Sequence, residues 1–122
     1  MSIYLRCSEG LSEANQFILE EAKATLLIVR GPWIVAADWN ISPATLAASG
    51  WLKLVGGVIF ATTLPTCNDS TCNYFVVHHT IAHAVAGVQR LDDRGCNPHS
   101  PTRLIMRGDA RRFAIRSLVR PP

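Results

Sequence analysis

Trp33-Ile34-Val35-Ala36-Ala37-Asp38-Trp39-Asn40 decides how this chain is read. Ile34 to Ala37 has the length and composition of a buried strand, and two polar side chains follow it, two residues apart. A strand ending this way delivers the Asp38 carboxylate and the Asn40 amide to one edge of a sheet. By alternation the two would share a face of the pleat and reach one ligand. The same pattern also fits an Asx turn, in which both side chains only cap backbone groups where the chain leaves the strand.

Working outward, Ser2 to Leu5 reads as a short strand. A helix follows from the N-cap Ser12 to about Arg30, stopped by Gly31-Pro32. Ala14, Phe17, Ile18, Ala22, Leu26 and Val29 would form its apolar side, with Glu13, Gln16, Glu20, Lys23 and Arg30 opposite. Ser42-Pro43 opens a short helix ending near Gly50, which Trp51-Leu52 would pin to the core. Val58 to Ala61 and Tyr74 to Val77 read as strands around a turn-rich loop from Leu64 to Asn73. Thr80 to Val85 would form one or two helical turns. Val88 to Leu91 and Arg103 to Met106 would be the last strands, joined by the loop Asp92 to Thr102. Strands alternating with helices predict an α/β fold with a mixed sheet and flanking helices.

The 122 residues, 48% of them hydrophobic, suit one compact core and argue against disorder. No apolar run has membrane-spanning length, and the polar start of the chain is unlike a secretory signal. An intracellular location, the nucleus included, is therefore expected. Free thiols are expected at Cys7, Cys67, Cys72 and Cys96. Cys67, Cys72, His79 and His83 raise the question of a zinc finger. Only six residues separate Cys72 from His79, and they form an apolar strand, so the spacing is wrong.

The net charge of +3 is uneven. Residues 1–102 carry 6 basic and 8 acidic groups, whereas residues 103–122 carry 6 arginines and 1 aspartate. Arg107, Arg111, Arg112, Arg116 and Arg120 fall at near-helical spacing, a basic stripe suited to nucleic-acid phosphates or else a frayed terminal extension. The expected division is a domain at residues 1–107 and an Arg-rich tail at residues 108–122.

Three segments together resemble the C-terminal half of the endonuclease/exonuclease/phosphatase family, in the form found in apurinic-site endonucleases and non-LTR retroelements. They are Ala37-Asp38-Trp39-Asn40 (family Gly-Asp-[Phe/Trp]-Asn), Asn73-Tyr74-Phe75-Val76-Val77 (family Asp-[Tyr/His]-[Phe/Ile] and an apolar run), and Pro98-His99-Ser100-Pro101 (family Ser-Asp-His-x-Pro). The intervening Ser42-Pro43 to Trp51-Leu52 and Pro65-Thr66-Cys67 also look like the retroelement version. The resemblance implies half of a four-layer α/β sandwich and Mg²⁺-assisted hydrolysis of phosphate esters, with nucleic acid, DNA ahead of RNA, as the partner. Under it Asp38 would orient and deprotonate water, Asn40 would hydrogen-bond a phosphate oxygen, and His99 would bind or protonate the phosphoryl group.

The chain departs from the family in three ways. Asn73 stands where an Asp orients the catalytic His, and an amide stabilises an imidazolium less than a carboxylate does. Pro98 stands where an Asp assists the metal. The family's principal metal-binding Glu belongs to a half that would precede this chain, so the metal ligands here are unknown. The expectation is a nuclease fragment, weak or inactive alone. Ile34, Val58, Phe75, Val77 and Leu104 would then form an open sheet face for the missing half or a second copy. The alternative is a non-catalytic module that binds nucleic acid or protein.

Overall fold

The computed structural model describes residues 1–62, 71–91, 102–108 and 111–117, with side chains through Arg107. Strand β1 (Ser2–Tyr4) leads into helix α1 (Glu13–Ile28), and β2 (Ile34–Asp38) follows. Two short helices, α2 (Pro43–Ala48) and α3 (Trp51–Val55), precede β3 (Gly57–Phe60). Next come β4 (Asn73–His78), a 3-10 turn (His79–Ala84), β5 (Val85–Arg90), β6 (Thr102–Gly108) and β7 (Arg111–Ser117).

Four strands make a mixed sheet in the order β1-β2-β4-β3, with β1 parallel to β2 and the other pairs antiparallel. The remaining three form an antiparallel sheet, β5-β6-β7. The mixed α/β class with flanking helices is as the sequence predicts.

The helices start where the caps dictate. Ser12 Oγ accepts the Asn15 amide at 3.3 Å, and Ser42 Oγ accepts the Thr45 amide at 3.1 Å with Pro43 in the first turn. The α1 stripe differs from expectation. Asn15, Leu19, Ala22 and Leu26 face the core, while Phe17 is 65% exposed. The stripe is rotated because Asn15 turns inward. Its amide donates to the carbonyls of Arg6 (3.1 Å) and Gly10 (2.7 Å), and its oxygen accepts the Arg6 amide at 2.7 Å. A polar residue thus occupies a core position by tying down the β1–α1 loop.

The strands of the mixed sheet divide their side chains between two cores. Val35, Ala37, Tyr74 and Val76 join Leu19, Leu26, Leu46 and Trp51 beneath the helices. Phe75 and Val77 pack instead with Leu104 and Met106 of the second sheet, where Ile34, Ala36, Phe60 and Val88 border them. Gly57 is needed on the helix side, since a Cβ there would lie 2.5 Å from Val76 Cγ1 and close to Trp33 and Val55.

Two expectations are corrected. The first is the open sheet face: Phe75, Val77 and Leu104 are fully buried, because Phe75 and Val77 of β4 pack on Leu104 and Met106 of β6, with Val85 and Val88 of β5 beside them. Only the edge position Val58, at 37% exposure, remains substantially open. The second is the tail. β6 runs to Gly108 and pairs with β7 from Thr102↔Ser117 to Gly108↔Arg111, so residues 111–117 are neither helical nor frayed. Arg112-Phe113-Ala114-Ile115-Arg116 satisfies both a four-residue and a two-residue repeat, and strand pairing selects the latter. The division at 107/108 falls within β6.

Candidate functional site

Asp38 is the last residue of β2 and Asn73 the first of β4, and the register sets them directly opposite one another. Cross-strand partners of this kind have their Cα atoms about 5 Å apart and their side chains on one face. That face is the one directed at the second sheet, because Asp38 shares the parity of Ile34 and Ala36, and Asn73 that of Phe75 and Val77. Asp38 is 3% exposed and Asn73 fully buried. Thr102, at the start of β6, is a third buried polar residue in line with Leu104 and Met106. Of the four buried polar residues described, only Asn15 lies on the helix side.

The backbone around Asp38 is held from both flanks. Its carbonyl accepts the Leu5 amide at 3.0 Å, and the next amide, Trp39 N–H, donates to Cys72 O at 2.8 Å. The carboxylate therefore projects from a point where three chain segments converge. Neither Asp38 nor Asn73 is without a partner.

Trp39 faces the opposite way. It is completely buried, stacks on Tyr74 with centroids 5.4 Å apart, and meets Trp51 edge-on at 5.7 Å. Its indole N–H donates to Tyr74 O at 3.1 Å, that of Trp51 to Leu19 O at 2.9 Å, and the Tyr74 hydroxyl to Ile41 O at 3.0 Å. Burial, with the Cys72 thiol adding to it, pushes Tyr74 far above the usual phenol range and keeps it a neutral donor. These rings are core.

Asn40 departs from the simple strand picture. The strand ends at Asp38, and Asn40 takes a left-handed backbone with φ of 50°, so it does not share a pleated face with Asp38. Asparagine tolerates this conformation better than most residues. Its Nδ2 donates to Leu5 O at 2.7 Å, closing the end of β1. One amide hydrogen thus does the capping work that the Asx-turn reading anticipated. The second hydrogen on Nδ2 and the side-chain oxygen are the chemistry left to it.

The remaining predicted residues are distributed as follows. His99, with Pro98, Ser100 and Pro101, lies outside the described residues, as do Cys67, Cys96 and Arg120. Arg107 is exposed on β6, and Arg111, Arg112 and Arg116 occupy β7. Cys7 and Cys72 are free thiols. The sequence reading missed Asn15, whose signal is an Asn three residues after an N-cap serine, and Thr102, which carries no motif.

Mg²⁺ is the cofactor implied by the resemblance. The described residues offer it one buried carboxylate and neutral amides, and among them no three His, Cys, Asp or Glu side chains converge. That donor set does not fit a resident ion. No described helix is long and apolar enough to cross a membrane. No family model matches the chain, and neither the curated proteins nor the solved structures yield a match.

Proposed function

We propose that this chain is the C-terminal half of a four-layer endonuclease/exonuclease/phosphatase-type sandwich, a phosphodiesterase fragment acting on nucleic acid with weak activity of its own. The observation that carries this reading is the Asp38/Asn73 pair, a buried carboxylate and an amide opposite one another at the ends of adjacent strands. Burial of polar groups is costly, and a core that served stability alone would carry apolar residues at these two positions.

In the proposed reaction Asp38 accepts a proton from water as that water attacks phosphorus, and the free N–H of Asn40 donates to a phosphate oxygen. His99 binds or protonates the phosphoryl group as the P–O bond to the leaving oxygen breaks, and that oxygen departs as a hydroxyl once it has taken up a proton. Asn73 makes the site a weaker version of the family's, since an amide leaves the imidazolium without a counter-charge. Mg²⁺ would enter with the half that bears the Glu ligand, which is why slow turnover is expected. A nuclear location would follow from a genomic substrate.

Slow nicking of supercoiled plasmid is expected with protein in excess and added Mg²⁺, lost in Asp38→Ala and in His99→Ala. Absence of nicking, or nicking that survives Asp38→Ala, overturns the proposal. The alternative, a non-catalytic module that binds nucleic acid or protein, predicts salt-sensitive duplex binding that survives Asp38→Ala and no nicking.

A further inference from the structure

The register of the second sheet sorts the arginines in a way that the sequence does not reveal. Arg103 is paired with Arg116 and Arg107 with Arg112. These four positions share one face, with Ile105 and Ala114 between them and Gln89 of β5 beside Arg103. The opposite face holds Leu104 and Met106, which are buried against Phe75 and Val77. The arginine face is therefore the outer one, in keeping with the exposure of Arg107 and Gln89. Arg111 falls out of the set, since its partner Gly108 has the parity of the buried face.

Two like-charge pairs directly across a hairpin oppose folding, and no described carboxylate forms an ion pair with Arg103 or Arg107. None of the eight positions on this face is acidic. An external anion seated on this face would relieve the repulsion. All four residues are arginines, whose planar fork matches phosphate oxygens in a bidentate way. Along each strand the two arginines stand about 13 Å apart, four residues at about 3.3 Å each.

We propose that the outer face of the β5-β6-β7 sheet, through Arg103, Arg107, Arg112 and Arg116, is a docking platform for the phosphate backbone of nucleic acid. It reads charge and spacing, with no base contacts, so binding is independent of sequence. The platform stands apart from the hydrolytic proposal, because none of its residues belongs to the Asp38 site.

The test is fluorescence anisotropy of a labelled 20-base-pair DNA duplex titrated with the full chain over a range of salt. Four phosphate contacts predict a slope of log K against log salt near −3.6, at about −0.9 per contact. Arg103→Gln/Arg107→Gln and Arg112→Gln/Arg116→Gln should each halve that slope. Arg6→Gln/Arg30→Gln, which removes the same charge elsewhere, should leave it within error, and Asp38→Asn should bind as the parent does. Arg103→Glu converts a like-charge pair with Arg116 into an opposite-charge pair, so its thermal midpoint should rise while duplex binding falls. Equal losses in the face and control variants would overturn the platform. So would an unchanged slope in both face variants, or stronger binding to vesicles of anionic lipid than to the duplex.

Discussion

Strands β2 and β4 contribute alternate residues to two interiors of different character. On the helix side Val35, Ala37, Tyr74 and Val76 meet three helices and three tryptophans, and the polar ring groups of Trp39, Trp51 and Tyr74 all donate to backbone carbonyls. On the sheet side the buried cluster is smaller, Phe75, Val77, Leu104 and Met106, and the polar residues Asp38 and Asn73 lie at its end. One layer consists of apolar packing with its few polar atoms satisfied, which is how stability is gained. The other retains a carboxylate and an amide where Leu and Val would be more stable, which is where chemistry is expected.

The largest effect should come from attacking the helix side. Trp39→Ala removes the ring stacked on Tyr74 and a buried hydrogen bond, and should cost about 3–5 kcal/mol in urea unfolding. A loss under 1 kcal/mol would show that the two interiors do not differ as described. Leu104→Ala on the sheet side should cost about 2–4 kcal/mol. In hydrogen exchange, protection should fall first in β5–β7, leaving β2 and β4 protected; uniform loss would mean one undivided core.

Asn73→Asp sharpens the comparison through charge. It sets two buried carboxylates opposite one another, so one must take up a proton and its folded-state pKa rises above the unfolded value. A raised carboxyl pKa means that stability is retained below about pH 4 and lost as pH increases through the raised value. The variant should therefore be about 1–3 kcal/mol less stable than the parent at pH 8 and nearly equal to it at pH 4. An equal difference at both values would remove the electrostatic account. Under the hydrolytic proposal the same variant should nick plasmid faster wherever it remains folded.

Tyr74→Phe should have the smallest effect, about 1 kcal/mol for the hydroxyl bond to Ile41 O. In the parent the raised Tyr74 pKa favours the folded state while the phenol is protonated, and that stability should decline as pH passes about 10. In Tyr74→Phe the alkaline decline should be shallower, as followed by circular dichroism. Identical alkaline profiles would exclude Tyr74 as its source.

Much of the fold was legible in the residues because it rests on local rules. Ser12 and Ser42-Pro43 marked helix starts, and the apolar runs Ile34 to Ala37 and Tyr74 to Val77 marked strands. The α1 stripe was misplaced because Asn15 earns its buried position through bonds to residues five and nine positions away, which periodicity does not register. The last strand was misread as a helical stripe because Arg112 and Arg116, four apart, fit either repeat. Asn40 was half legible: its residue type suits both a turn and a ligand, and only the backbone assigns one hydrogen to Leu5 O.

By itself the sequence determined most of the element types, the apolar runs of β2 and β4 and the presence of a carboxylate and an amide at strand ends. Those follow from side-chain chemistry and spacing within a few residues. The tertiary structure alone decided that Asp38 faces Asn73, that the second sheet covers Phe75 and Val77, and that Arg103 joins Arg107, Arg112 and Arg116 while Arg111 does not. Each of these depends on strand register, and register is set by which distant face must be buried.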